Sequence, residues 1–323
     1  MPTIEISALT KRYDGVTAVD ALSLDVGEGE FFGLLGPNGA GKTTTLLMLT
    51  TLLKPTSGTA RVKGFDVVRE PSKVRKSIGI VFQDPSSDDT LTGYENLKLH
   101  GMLYGMPSAL RERRIAEVLA LVDLEDRKRD IVKHYSGGMR RRLELARGLM
   151  HRPAVLFLDE PTLGLDPQSR DHIWGYIERL AREEKITVVI TTHYMEEADR
   201  LCGRIAIVDA GRVVALDSPA NLKRIIGGDV VTLQSRSPRL DALRALPCVS
   251  KVEHASDVVT LTVKDPSVHL QAILAAAGAV DSVTIHSPTL NDVFLRYTGR
   301  DIREGSPEGG WAERSMRLRS NSK

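Results

Sequence analysis

Gly36-Pro37-Asn38-Gly39-Ala40-Gly41-Lys42-Thr43 fits the pattern G-x-x-x-x-G-K-[ST], in which glycines let the backbone bend round phosphate oxygens and aim its N–H groups at them. The flanks give the pattern its context. Phe31, Phe32, Leu34 and Leu35 ahead of it form an apolar run that reads as a buried parallel strand, and Leu46, Leu47, Leu49 and Leu53 behind it suit a packed helix. A strand turning through such a loop into a helix predicts a nucleoside triphosphate site. The positive end of the helix faces the phosphates, Lys42 reaches the outer ones, the Thr43 hydroxyl is placed to hold Mg2+, and Thr44 joins the nucleotide-binding set.

At 323 residues the chain can hold one large core and a second small domain. Lys plus Arg total 44 against 42 Asp plus Glu, so the net charge of +2 gives no general basic field for nucleic acid, and none is expected as a partner. No apolar stretch approaches the roughly 18 residues that span a bilayer, and Met1-Pro2-Thr3-Ile4-Glu5 lacks the features of a signal peptide; the expected location is cytosolic. Cys202 and Cys248 have no His or Cys neighbours at metal-ligand spacing and read as two reduced thiols.

Runs such as Thr3 to Ala8 and Leu22 to Val26, broken by Asp14-Gly15 and Gly27-Glu28-Gly29, predict strands and turns through residue 35. Between about 90 and 150 the period changes to a helical one: Ile115, Val118, Leu119 and Val122 repeat at i, i+3, i+4 and i+7, and Met139, Leu143, Ala146 and Met150 do much the same. Val155 to Leu158 and Ile186 to Ile190 return to short apolar strands separated by helix, which implies a parallel α/β sheet, and a hairpin turns on Ala210-Gly211. Past Gly227-Gly228 the pattern restarts. Strands at 230–234, 249–254, 258–263 and 280–286 interleave with helices at 240–246 and 268–277, giving the order βαββαβ of a ferredoxin-like α+β domain. Three segments follow: 1–227, 228–299, and a polar tail 300–323 that reads as disordered.

Asp159-Glu160 closes the apolar run Val155 to Leu158 and so places two carboxylates at the sheet edge where the phosphate loop opens. Asp159 suits the Mg2+ shell, and Glu160 suits orienting or deprotonating a water for attack on the γ-phosphate. Ser136-Gly137-Gly138-Met139 is a second anion-binding surface, with Ser136 as N-cap and a helix behind it. Each of these features alone has a bland explanation, since an Asp-Glu pair after a strand is most often a solvated loop; their order along the chain argues otherwise.

Together they resemble the ATP-binding cassette (ABC) family, whose signature usually reads Leu-Ser-Gly-Gly-Gln. Tyr135 stands here for the Leu and Met139 for the Gln, so the resemblance carries the serine and glycine contacts over and leaves the amide contact open. Tyr13 matches the family's adenine-stacking aromatic, Gln83 follows the strand Ile78 to Phe82, Leu163-Gly164-Leu165-Asp166 follows the carboxylates, and His193 follows Ile186 to Ile190. Ser136 lies 94 residues past Lys42, Asp159 23 past Ser136, and His193 34 past Asp159, the layout of a single transporter cassette. The resemblance covers residues 3 to about 225. It implies a P-loop NTPase fold with a parallel sheet core, an antiparallel β subdomain and a helical subdomain. It implies ATP and Mg2+ as cofactors and a head-to-tail dimer in which Ser136, Gly137 and Gly138 of one copy close over ATP on the other. It also gives Gln83 and His193 contacts with the γ-phosphate region, Gln83 a share in the metal site and a position facing the membrane subunit, and Asp166 a place at the dimer seam.

Gln83-Asp84-Pro85-Ser86-Ser87-Asp88-Asp89-Thr90-Leu91-Thr92-Gly93-Tyr94-Glu95-Asn96-Leu97, Tyr135 to Leu143 and Leu290-Asn291-Asp292-Val293-Phe294-Leu295 are similar to the daunorubicin-resistance branch of drug-export cassettes. That branch has a separate polytopic membrane permease and a C-terminal accessory domain, which implies an export motor at the cytoplasmic face of the membrane. Competing expectations are a soluble cassette ATPase of translation or DNA repair, for which 94 residues between Lys42 and Ser136 leave no room for coiled-coil arms, and an importer motor. A GTPase is disfavoured because no Asn-Lys-x-Asp motif occurs.

Overall fold

The structure, a computed structural model, describes residues 2–184 and 186–299, so the tail expected to be disordered lies outside the described residues. Contacts divide the chain between Leu216 and Asp217 into two compact units.

In the first unit, β1 (Ile4–Tyr13) and β2 (Val16–Val26) form a hairpin on Asp14-Gly15. Then come β3 (Phe31–Leu35) and α1 (Lys42–Leu49), followed by β4 (Ser57–Val62), antiparallel to β1, and the short β5 (Phe65–Asp66), which complete a four-stranded sheet of order β2-β1-β4-β5. α2 (Pro71–Ser77) leads into β6 (Ile78–Val81). The helical block consists of α3 (Gly93–Leu103), α4 (Ser108–Leu121) and α5 (Gly137–Leu149). β7 (Val155–Asp159), α6 (Pro167–Glu184), β8 (Thr187–Thr192), α7 (Met195–Leu201), and the hairpin β9 (Arg204–Asp209) and β10 (Arg212–Asp217) complete the unit.

The second sheet has the order β10-β9-β3-β8-β7-β6, parallel from β9 through β6. β7 and β8 are buried along their whole length, as strands covered on both faces must be. Register places Leu35 opposite Thr192 and Asp159 opposite Thr191. Everything that leaves β3, β7 and β8 at their C-terminal ends therefore meets at one sheet edge, with β8 between the phosphate loop and the Asp159-Glu160 turn.

The helix expected to carry Leu46 through Leu53 stops early. The Thr50 hydroxyl bonds back to the Leu46 carbonyl at 2.9 Å, Thr51 turns left-handed at φ 66°, and Leu53 reaches the core from the turn beyond. α5 starts at Gly137, directly behind the expected cap Ser136. Both cysteines are free, Cys202 buried and Cys248 half-buried. Among the described residues no helix is long and apolar enough to cross a membrane.

The second unit holds α8 (Pro219–Arg224), β11 (Asp229–Gln234), α9 (Leu240–Arg244), β12 (Val249–Ala255), β13 (Val258–Val263), α10 (Pro266–Ala277), β14 (Ser282–His286) and α11 (Leu290–Thr298). Its antiparallel sheet has the order β12-β13-β11-β14, the expected split βαβ arrangement. Val231, Leu233, Val259, Leu261 and Val263 alternate onto the face that packs with Leu243 and Ile273.

Beneath the helical block, His100 of α3 packs near His151, whose ring stacks on Tyr104 at 3.9 Å. Burial, with help from Arg147 and His151, lowers the His100 pKa from 6.5 to about 4. Between these two values the unfolded chain takes up a proton that the folded chain refuses, so stability falls as pH drops through that window and is unaffected above it. Acidification from pH 7 to 5 is expected to cost roughly 2 kcal/mol at this site. Urea midpoints at the two pH values should differ less in His100→Leu than in the parent; equal differences would remove His100 as the source.

Candidate nucleotide site

The phosphate loop leaves β3 at Leu35 and enters α1 at Lys42. Two of its glycines are sterically required: a Cβ on Gly36 would sit 2.2 Å from the Val208 carbonyl oxygen, and Gly41, at φ 101°, would put one 2.4 Å from that of Ala18. Asn38 and Gly39 form the exposed rim, Ala40 is buried, and no carboxylate occupies the first turn of α1, which leaves its positive end for an external anion. Lys42 is 5% exposed and folds back, its Nζ donating to the carbonyls of Gly36 at 2.7 Å and Pro37 at 3.1 Å. The same ammonium lies 3.5 Å from the Glu160 carboxylate.

Glu160 is buried and held at φ 46°, left-handed for a residue with a side chain, by its amide donating to the Thr191 carbonyl at 3.0 Å. This turn swings its carboxylate across the sheet edge to within 3.1 Å of His193 Nδ1. Burial alone would raise the Glu160 pKa, but His193 and Lys42 outweigh it and leave the group below the usual range. Its neighbour behaves oppositely. Burial raises Asp159 despite hydroxyl donation from Thr191 at 2.5 Å and Thr43 at 3.1 Å. A buried carboxylate in that condition, with both threonine hydroxyls on one oxygen, is suited to a hard cation.

Gln83 follows β6, which is level with β7 in the parallel register, and it is half-buried at this same edge. Tyr13, at the end of β1, faces the Thr44 side chain, and burial raises its hydroxyl pKa. One cluster thus takes in Gly36 to Thr44, Gln83, Asp159, Glu160 and His193, with Tyr13 beside it.

The other candidates form a second group, at the exposed start of α5 and the turn beside it. Ser136 Oγ accepts from the Met139 amide at 3.2 Å, which leaves its proton free to be donated outward, and Ser136 and Gly137 are exposed. Gly137 lies against Leu165, next to the exposed Asp166, whose carboxylate accepts from the Ser169 amide at 3.0 Å. Tyr135, in place of the usual leucine, is accommodated by design of its surroundings: it is 6% exposed, its hydroxyl donates to the Arg127 carbonyl at 2.8 Å, and the space it fills exists because residue 93 is glycine.

Sequence reasoning missed Thr191, Glu144 and above all Arg141. Arg141 donates to the carbonyls of Phe82 and Pro161, each at 2.5 Å, and of Asp159 at 3.3 Å, and burial lowers its pKa to about 10. The run Arg140-Arg141-Arg142 hides it, yet Arg141, Leu145 and Gly148 share the i, i+4, i+7 stripe that faces inward.

A family model described as "ABC transporter" matches residues 19–163, and one described as "ATP-binding protein DrrA1-3-like, C-terminal domain" matches residues 218–298. The daunorubicin/doxorubicin resistance ATP-binding protein DrrA of Streptomyces peucetius is 42% identical over 314 residues, covering 94% of this chain and 95% of the relative. The linearmycin resistance ATP-binding protein LnrL of Bacillus subtilis is 37% identical over 313 residues, covering 93% of this chain and 100% of the relative. Among solved structures, the dimeric post-hydrolysis state of an ATP-binding cassette bound to ADP and Pi matches with a TM-score of 0.61 at 29% identity, over 67% of this chain and 98% of that one. The chain belongs to the ATP-binding subunits of the ABC transporter family, with a DrrA-like C-terminal domain, and is an ATPase.

Proposed function

We propose that this chain energises export of a drug, antibiotic or other amphiphilic compound through a separate membrane permease, from the cytoplasmic face of the membrane. The observation that carries the ATPase half of this reading is the Lys42–Glu160–His193 cluster at one sheet edge, with Ser136 presented at the exposed start of α5. Each copy then holds a triphosphate on its own phosphate loop and lends Ser136, Gly137 and Gly138 to the ATP of a second copy, head to tail. Lys42 leaves its loop carbonyls for the β- and γ-phosphates, Tyr13 stacks on adenine, and Glu160, released from Lys42, accepts the proton of the attacking water. His193 holds Glu160 and the γ-phosphate in line, and Asp166 orders the seam. Thr43, Asp159 and Gln83 are the oxygen donors that would hold Mg2+, which would supply charge neutralisation to the β- and γ-phosphates.

The export half draws on the resistance relatives and on α3. Leu99, Met102 and Leu103 are 45%, 54% and 76% exposed at i, i+3 and i+4, an apolar strip suited to a protein partner. Asn96 of the same helix exchanges hydrogen bonds with the Asp88 backbone in the loop that follows Gln83, so pressure on α3 reaches the site. Two experiments test the reading. The chain should copurify with a polytopic membrane protein. Inverted vesicles containing the pair should accumulate daunorubicin or another amphiphilic probe with ATP, and should not with Lys42→Ala. Uptake by right-side-out vesicles instead would mean import, and failure to copurify would favour a soluble cassette of translation or DNA repair.

A further inference from the structure

Three arginines follow the signature in sequence, but only Arg141 turns inward, at 6% exposure. All three of its acceptors are backbone carbonyls, so what it reads is the path of the chain rather than the identity of a side chain. Those carbonyls belong to two loops of the nucleotide site. Phe82 immediately precedes Gln83, while Asp159 and Pro161 flank Glu160, the residue in the left-handed region. A backbone held there is strained for a residue with a side chain and persists only when its surroundings fix it. Arg141 grips it from both sides.

α5 has a second attachment to the same loop. Glu144 accepts from the Ser86 hydroxyl at 2.9 Å and the Ser87 amide at 2.8 Å, and Arg147 steadies Glu144 at 2.9 Å. At the other end of this helix is Ser136, five residues and about 7.5 Å of axis away from Arg141. One short rigid element therefore carries the surface offered to a second copy at its tip and grips the catalytic turns of its own site along its side.

We propose that Arg141 is a positioning residue that couples the two nucleotide sites of a dimer. When Ser136 engages the ATP of a second copy, α5 shifts as a unit, and Arg141 moves the Phe82–Gln83 and Asp159–Pro161 backbone of its own site into register. The two sites then fire cooperatively. This rests on Ser136 acting on the second copy's ATP.

The test uses the full chain with Arg141→Gln and Arg141→Lys, measuring ATP affinity, steady-state turnover against ATP concentration, and thermal midpoint. The parent is expected to show a Hill coefficient approaching 2. In Arg141→Gln the ATP Kd should stay within about threefold, kcat should fall about tenfold or more, and the Hill coefficient should drop to about 1. Arg141→Lys, keeping the charge but not the fork, should recover part of kcat and none of the cooperativity. If the Gln variant does not fold, the Lys variant decides on the same two readouts. A Hill coefficient unchanged in the soluble variants, or equal to about 1 in the parent, overturns the proposal, as does a loss that follows the thermal midpoint alone. ATP-dependent dimerisation of Glu160→Gln separates the two ideas: without a dimer the reading of Ser136 falls, whereas a dimer combined with preserved cooperativity in the Arg141 variants removes the coupling role only.

Discussion

Glu160→Gln should cut ATP turnover by about 10³-fold while ATP still binds and two copies remain locked together. The substitution keeps the shape of a buried side chain and removes only the basic oxygen, so the left-handed turn and its hold on the Thr191 carbonyl survive. Lys42 loses a carboxylate 3.5 Å away but keeps the Gly36 and Pro37 carbonyls, so the loop stays formed. ATP no longer competes with that carboxylate for the ammonium and should bind at least as tightly as before. Before ATP arrives, His193 and Lys42 outweigh burial and hold the Glu160 pKa below the usual carboxylate range, so the parent meets its nucleotide with the base already ionised. Phosphate release gives the rate and light scattering with ATP gives the mass. Turnover within about tenfold of the parent would remove Glu160 from the base role.

Ser136→Glu should abolish hydrolysis to a similar degree by a different route, with a loss of about 10² to 10³-fold. Glutamate gives up the Ser136 cap, at a cost of about 1 kcal/mol, but its negative charge suits the positive end of α5 and the exposed site tolerates its size. Its negative charge, however, would face the γ-phosphate of a second copy. Binding of ATP to each separate chain should be unchanged, because the substitution touches none of the contacts that form the phosphate loop. ATP-dependent dimerisation should fail. A variant that binds ATP and still dimerises with normal turnover would show that Ser136 serves no phosphate in trans. The two substitutions thus fail at opposite steps, one after closure and one before it.

How far these residues could be read in advance varies with the physical signal each leaves. The phosphate loop was legible because its chemistry is backbone chemistry, and backbone conformation demands glycine at fixed spacing. The parallel sheet was legible through continuous apolar runs, and the second unit through alternation that registers Val231 and Leu233 onto one face. α11 was not assigned, although Thr289 and Asp292 form a reciprocal cap and spell out its start. Glu160 was found from its place after a strand, but neither its left-handed backbone nor its link to Lys42 leaves a trace in composition. Arg141 was lost for a related reason: a buried guanidinium satisfied by carbonyls leaves no partner side chain to recognise, and it stands between two half-buried arginines of the same type. The early end of α1 shows the reverse case, where the Thr50 hydroxyl competes for helix carbonyls and local chemistry overrules an apolar period.

The fold of Lys42 back onto its own loop bears on selectivity. An ammonium already bonded to two carbonyls and set 3.5 Å from a carboxylate gains little from a lone inorganic anion, because one sulfate or phosphate must undo several bonds to make a few. A chain of three phosphates delivers many oxygens in one encounter and repays the exchange. The loop amides can still receive a simple anion, but only a ligand long enough to satisfy the loop amides, the lysine and Thr43 together draws Lys42 away from its own carbonyls.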